Sequence, residues 1–446
     1  MNAITSFFVA DFAENIPINI RVTMLIFIFI LKILLITIIF CISAYTIRHY
    51  IFTLNRLFGH QRHPYVDVEV AEWPTIAVLV PAHNEEAVIS YSLEALLSAN
   101  YPHDKLTIHV INDRSTDRTK EIIDSFEVRF PNIIKPLHRT KGKGGKAAAL
   151  KEVMAQVQND IIIIFDADYI PGKGLLKQLA SPFFDPEVGA VMGRVVPVNT
   201  KTNLLTRLLD LERSAGYQVD QQARMNMGLV PQYGGTVGGI RRCALESVGG
   251  WLDHTLAEDT DLTYRLMLKG WKSIYQNRSE CYEEVPENWN VRIRQVKRWA
   301  TGHNQALARY STKWLFNRNI SFRERIDGLM LLGIYAMSPI VIFGWFIAVT
   351  LFYLGEQAMA SGALALIAVA SYSSIGNFAV FFEICTAVHL DRGGNRIRLL
   401  PLNFFNFVIS IFSVTDASMN QIINCKNCAA TWDKTPRYRA SSFMMS

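Results

Sequence analysis

From Val22 to Tyr45 the chain runs for 24 residues with a single charged side chain, Lys32. About 20 apolar residues are enough to cross the hydrocarbon of a bilayer, so this run is predicted to be a membrane span, and it obliges the rest of the fold to be arranged around a membrane. Asp11 and Glu14 precede it, and Arg48, Arg56 and Arg62 follow it. By the positive-inside rule the N-terminus is expected outside and the residues after the span in the cytoplasm. The opening segment has no basic n-region, and the apolar run is too long for a signal-peptide h-region, so it reads as an uncleaved anchor. Lys32 near mid-span costs on the order of 3 kcal/mol if unpaired. It either snorkels, lines a polar path, or meets a carboxylate such as Glu383.

The apolar half of the 446 residues is unevenly spread. The middle, from about Trp73 to Tyr310, has the composition of a soluble domain, and apolar runs return after Asp327. Three units are therefore expected: 1–60 with a span at about 22–45, a cytoplasmic domain at 70–315, and 325–446 with helices at about 328–354, 362–388 and 399–423. The last helix is ambiguous. It is long enough to cross, yet Asn403, Asn406, Asp416 and Asn420 make crossing costly, so it is either a fourth span or a helix lying at the interface. The net charge of +6 is dispersed or flanks apolar runs, which fits contact with membrane lipid and argues against nucleic acid. The six cysteines have no disulfide-framework spacing; Cys425 and Cys428 form a lone CxxC without the further ligands that zinc requires.

Within the middle segment strands alternate with helices. Ile76 to Val80, Leu106 to Ile111 and Ile161 to Phe165 are short apolar runs, each followed by a polar loop and a helical stretch. This is the pattern of a doubly wound α/β domain, in which ligands bind at the carboxyl ends of the strands. The loop Pro81 to Glu85, Asp113, and the pair Asp166/Asp168 all fall at that edge. Asp-x-Asp at a strand end can aim two carboxylates at one point, a hard-oxygen pair suited to Mg²⁺ or Mn²⁺ bridging a diphosphate. Asp113 can accept hydrogen bonds from a ribose or base edge, or else cap a turn; Ala82 and Glu85 are weaker candidates for the base pocket. Lys146 closes the basic, glycine-rich turn that begins at Lys141, where backbone N–H groups at a helix start favour an anion.

Two further segments carry chemistry. Glu258-Asp259 opens a helix; there Asp259 can cap the helix or take the proton of an attacking hydroxyl, and the residues alone leave both open. The preceding Tyr233 to Thr236 loop, with Gly235 and Thr236, can let backbone approach a sugar or simply make a tight turn. Gln295, Arg298 and Trp299 fall on one helical face at i, i+3 and i+4, where Arg298 can clamp a diphosphate and the indole can stack on a sugar ring. Arg292, Arg294 and Lys297 on the same stretch also suit lipid headgroups.

Asp113, Asp166-Ala167-Asp168, Glu258-Asp259 and Gln295-Val296-Lys297-Arg298-Trp299, in this order between apolar segments, resemble the membrane-bound processive family 2 glycosyltransferases: the cellulose, hyaluronan, chitin and poly-N-acetylglucosamine synthases. The resemblance implies a GT-A-like nucleotide-sugar domain inserted between transmembrane helices of a multi-pass cytoplasmic-membrane protein. It implies an inverting enzyme that polymerises sugar from a donor such as UDP-GlcNAc or UDP-Glc onto a growing, exported polysaccharide, with Asp259 as base and the possibility of a small accessory membrane subunit. Trp432, Thr435 and Arg437 resemble a tail that in relatives lies over the active-site mouth. Gly-Gly-Thr-Val at 234–237 differs from the loops of the cellulose and hyaluronan branches, which leaves the donor sugar open. A lipid-linked transferase making one transfer, and a non-enzymatic membrane scaffold, are the competing readings.

Overall fold

The computed structural model describes residues 17–65, 72–356 and 374–423. The tail residues Trp432, Thr435 and Arg437, the Cys425/Cys428 pair and much of the expected 362–388 span lie outside them. The four described cysteines we can place, Cys41, Cys243, Cys281 and Cys385, are free thiols.

The chain divides into two units, one of residues 1–48 with 337–380, the other of 49–336 with 381–446. The second is built on one eight-stranded sheet. Its strands are β1 (Ile76–Ala82), β2 (Leu106–Asp113), β3 (Ile134–Arg139), β4 (Ile161–Ile164), β5 (Ile170–Pro171), β6 (Val188–Pro197), β7 (Gly238–Arg241) and β8 (Lys272–Glu283). They lie in the order β3-β2-β1-β4-β7-β6-β8-β5. The first four are parallel, with Ile76 opposite both Leu106 and Ile161. This half is the expected doubly wound arrangement. Beyond β4 the sheet is mixed: β7 runs antiparallel to β4 and β6, while β8 runs parallel to β6.

The continuous apolar runs arise because both faces of the parallel half are covered. Val78, Val80, Val110 and Ile163 face a layer containing Leu93, Ile123 and Leu176, whereas Leu79, Ile111, Ile162 and Ile164 face Leu150, Val153, Leu262 and Leu266. Period-2 alternation thus feeds two apolar cores, so no polar face interrupts the sequence pattern. The sheet's carboxyl edge is left as the polar, concave side.

Helix Trp289–Leu315 packs along helix Leu400–Ile423. Two of the three asparagines that made Leu399–Ile423 costly to insert point into protein: Asn403 and Asn406 are buried, and Asn406 donates to Glu212 Oε2 at 3.2 Å, whereas Asn420 is exposed. Asp416 pairs with Lys297 at 2.5 Å. Phe404, Phe405, Phe412, Ile422 and Ile423 are left exposed. By length and composition, Ile18–Phe58 and Gly394–Ile423 can each cross a membrane.

Other expectations about the apolar segments need correction. The predicted span 328–354 is two helices, Phe322–Gly333 and Met337–Tyr353, separated by a turn at 334–336. Arg48 and Arg56, which follow the apolar run, lie on the same helix, which continues to Phe58, and both are buried; Arg56 donates to Gln218 Oε1 at 3.1 Å. In the first unit Ile28, Leu35 and Ile38 pack on Ile347 and Leu351. Lys32 there pairs with Glu356 at 2.6 Å, not with Glu383, whose partner is His49.

Candidate active site

A cavity of about 520 Å³ opens at the carboxyl edge of β1, β2 and β4. Ala82, Glu85, Asp113, Lys146, Asp166, Asp168, Thr236, Asp259, Gln295, Arg298 and Trp299 all line it. Segments separated by more than 200 residues in sequence therefore meet at one place. Gly235 sits beside them: at φ +75° it lies so close that an added Cβ would be 3.1 Å from Asp259 Cβ.

Asp166 and Asp168 do not extend β4 as a strand-end pair. The strand stops at Ile164, and Tyr169 N–H donates to Asp166 O at 3.0 Å, so the acidic pair is bent into a turn. Asp166 N–H donates to Thr236 Oγ1 at 3.2 Å, joining this turn to the 233–237 loop. Lys146 donates to Asp166 Oδ1 at 2.6 Å. Burial works against the Lys146 charge, but Asp166 and Glu258 outweigh it and hold the ammonium above its usual pKa. Lys146 is therefore a fixed cation between the acidic turn and Glu258-Asp259.

The Asp113 carboxylate is held from three directions within the protein. Arg139 and Arg114 donate to Oδ1 at 2.7 and 3.0 Å, and Gly145 N–H to Oδ2 at 2.9 Å. Its carboxylate thus anchors the basic loop that ends at Lys146. The turn at the end of β2 also carries Arg114 at φ +57°, and Asn84 in the first loop is at +54°. Asn84 Oδ1 accepts from Thr116 N at 2.7 Å, tying the two loops together.

Helix Glu258–Leu268 presents Glu258 and Asp259 in its first turn, and Thr260 N–H donates to Asp259 Oδ1 at 2.6 Å. Burial raises the pKa of both acids. In Glu258 the charge of Asp259 adds to the rise, and Lys146 and Arg298 pull both back. Among the described residues Arg298 forms no ion pair, and its guanidinium borders the cavity. The helix bearing it reaches the Asp259 helix through Gly302, where a Cβ would sit 2.6 Å from Ala257 Cβ and 2.7 Å from its N.

The QxxRW helix does not offer its first arginine to lipid. Arg292 is buried and donates to Glu212 at 2.5 and 2.7 Å. The Arg292 and Arg213 guanidinium carbons lie 5.2 and 5.3 Å from the Trp299 ring centroid, a cation–π arrangement. Arg213 pairs with Glu283 at 2.8 Å, and Glu283 accepts from Tyr169 at 2.6 Å. Glu212, Arg213, Tyr217, Glu283 and His303 are cavity residues that inspection of motifs missed. The helix carrying Glu212 and Arg213 gives way to a π-helical segment, Ala215–Gln221, a local irregularity that often marks functional sites. Sequence periodicity does not announce it.

The sheet order, the acidic turn and the QxxRW helix around one cavity define a GT-A-like glycosyltransferase domain. Residues 74–302 match glycosyltransferase-like family 2, and the chain belongs to that family; residues 245–387 also match the cellulose synthase family. A probable glycosyltransferase of Bacillus subtilis (strain 168), YdaM, is 36% identical over 241 residues, 54% of this chain and 57% of that protein. A beta-monoglucosyldiacylglycerol synthase of Nostoc sp. is 32% identical over 312 residues, 67% of this chain and 64% of the relative. A probable glucomannan 4-beta-mannosyltransferase of Arabidopsis thaliana is 29% identical over 269 residues, 58% of this chain and 48% of the relative. The chain thus spans only about half to just under two-thirds of the length of these relatives. Among solved structures, the mannosyltransferase PcManGT from Pyrobaculum calidifontis, in complex with GDP-Man and Mn²⁺, shares the fold with a TM-score of 0.54 at 20% identity, covering 79% of this chain and 97% of that one.

Proposed function

We propose that this chain is a processive, inverting β-glycosyltransferase of the cell membrane. On this reading it transfers sugar from a nucleotide-sugar donor, UDP-GlcNAc or UDP-Glc, onto a growing polysaccharide in a cytoplasmic domain. The observation that carries it is the convergence of Asp166/Asp168, Asp259, Arg298 and Trp299 on one cavity. Two carboxylates at one turn are a donor set for Mg²⁺ or Mn²⁺, with substrate phosphate and water completing the shell; among the described residues no cluster of three or more ligating side chains competes for the ion. A cation held there by Asp166 and Asp168 would neutralise charge on the departing diphosphate. The chain's own groups do the rest. Lys146 and Arg298 supply fixed positive charge where the diphosphate leaves, and Asp259, held at one oxygen by Thr260, accepts the acceptor hydroxyl's proton. Gln295 and Trp299 hold the acceptor sugar, while Ala82, Glu85 and Asp113 frame the base and ribose.

A single transfer to a lipid acceptor is the second reading, favoured by the similarity to a beta-monoglucosyldiacylglycerol synthase. Membranes containing the chain, given labelled UDP-glucose, UDP-N-acetylglucosamine or GDP-mannose, are expected to yield polymer; a product of one sugar on lipid selects the second reading. Asp259→Asn is expected to insert normally and lose at least about 10³-fold of the transfer rate. Wild-type product formation by that variant removes Asp259 from its role.

A further inference from the structure

Behind Asp259 lies a buried polar group of three residues from three separate elements. Thr260, fully buried, follows Asp259 on its helix. Gln232, in the loop before Tyr233, donates through Nε2 to Thr260 Oγ1 at 2.8 Å. His303, four residues after Trp299 and 9% exposed, places Nε2 3.1 Å from the same hydroxyl oxygen. The hydroxyl in turn stands 3.4 Å from Asp259 Oδ1, the oxygen that already accepts from Thr260 N–H. None of these contacts follows from the motif spacing, since His303 lies outside QxxRW.

A hydroxyl has one proton to give and two lone pairs to fill, so its direction depends on where the imidazole proton sits. Among the described residues His303 Nδ1 is buried without a partner. A proton on Nδ1 would be a buried donor with nothing to receive it, which is rarer and costlier than an idle acceptor. The tautomer with the proton on Nε2 avoids that.

We propose that His303 is a positioning residue for the transfer step: its Nε2–H and the Gln232 amide both donate to the Thr260 hydroxyl, which leaves that hydroxyl's own proton for Asp259 Oδ1. The inference rests on the reading of Asp259 as base. Two donors from Thr260 then fix Oδ1, and Oδ2, which lies on the Gly235 side, is left to take the acceptor's proton. Burial keeps His303 neutral, with its pKa pushed down to about 4, so the arrangement persists across the working pH range. Tyr335 packs against the ring with centroids 4.8 Å apart and holds its plane. The close approach at Gly302 brings the imidazole within reach of Thr260.

The test uses full-length chain in membranes, with whichever of UDP-glucose, UDP-N-acetylglucosamine and GDP-mannose the wild type turns over. His303→Leu keeps the volume and removes the donor; His303→Gln restores a nitrogen near the Nε2 position; Thr260→Val removes the hydroxyl and keeps the N–H. The expected result is a kcat about tenfold lower or more in His303→Leu and Thr260→Val, with donor KM within about twofold. The double variant should be no worse than either single one, because both break the same chain. Thr260→Val removes the hydroxyl's bond to Oδ1 and His303→Leu removes the donor that holds the hydroxyl toward it. Either disfavours ionised Asp259, so the acid limb of the kcat/KM profile should move to higher pH in both variants, while Glu258, Lys146 and Arg298 and the tyrosines Tyr217, Tyr233 and Tyr335 facing Asp259 are untouched. His303→Gln should recover most of the rate. Full turnover in His303→Leu, losses that multiply in the double variant, or a rate loss with an unmoved acid limb would each overturn the proposal. Asp259→Asn in parallel separates the two claims: an active Asp259→Asn removes the base reading, whereas an inactive one beside an active His303→Leu removes only the role of His303.

Discussion

Adjacent acids at a buried helix start are a liability that function must justify. Burial, and for Glu258 the neighbouring charge, raise the pKa of Glu258 and Asp259. A carboxyl whose folded pKa lies above its unfolded value binds protons more readily when folded. It therefore costs stability progressively as pH rises through the folded pKa, and costs nothing when both states are protonated. Asp259→Asn is accordingly expected to melt at a higher temperature than wild type at pH 8, with the gap closing toward pH 4. Thermal melts across that range check it, and a lower melting temperature at pH 8 contradicts it. The candidates that meet at the cavity were legible in the sequence, because Asp-x-Asp, Glu-Asp and QxxRW are short local patterns. What surrounds them was not. That Asp113 would be held by Arg139 and Gly145, or that Trp299 would lie beside Arg213, depends on contacts across 26, 32 and 86 residues of sequence, where no local pattern reaches.

At the scale of elements, the parallel strands β1, β2 and β4 were readable because each is apolar on both faces. β8 was not: Gln276, Asn277 and Ser279 are buried polar residues within it, so its sequence looks like a loop, and the mixed half of the sheet stayed hidden. The contact between helix Trp289–Leu315 and the start of helix Glu258–Leu268 is equally silent in sequence, since it needs the absence of a side chain. Gly302→Ala would drive a methyl into Ala257. Overpacking of this kind costs about 1–3 kcal/mol, and here it also pushes Arg298 and Asp259 apart. The expected outcome is a loss of turnover of about tenfold or more, larger than the fall in stability alone explains; steady-state rates compared with melting temperatures test it.

For the molecule as a whole, the length and position of the apolar runs anticipated membrane-length helices, while the break at 334–336 and the extension of the first helix to Phe58 left no mark in the hydropathy pattern. One buried ion cluster is expected to hold the catalytic unit together. Asp391, just after helix Ser374–Leu390, accepts from Arg194 at 2.7 Å, Gln218 at 2.5 Å and Arg396 at 3.1 Å. Arg396 reaches on to Asp210 at 2.6 Å. Asp391→Ala leaves two guanidinium groups without their shared carboxylate in a largely buried place, which should cost roughly 3–5 kcal/mol. A melting-temperature fall with no change in donor KM is the signature; an unchanged melting temperature would show the cluster to be dispensable.

Gly302 has a mechanical consequence as well. Where the Gly302 backbone lies directly against the methyl and backbone of Ala257, it has no side chain of its own to absorb displacement, which favours movement of the two helices together. On the proposed reading, the arginine that grips the leaving group and the acid that readies the attacking hydroxyl are therefore geared to each other.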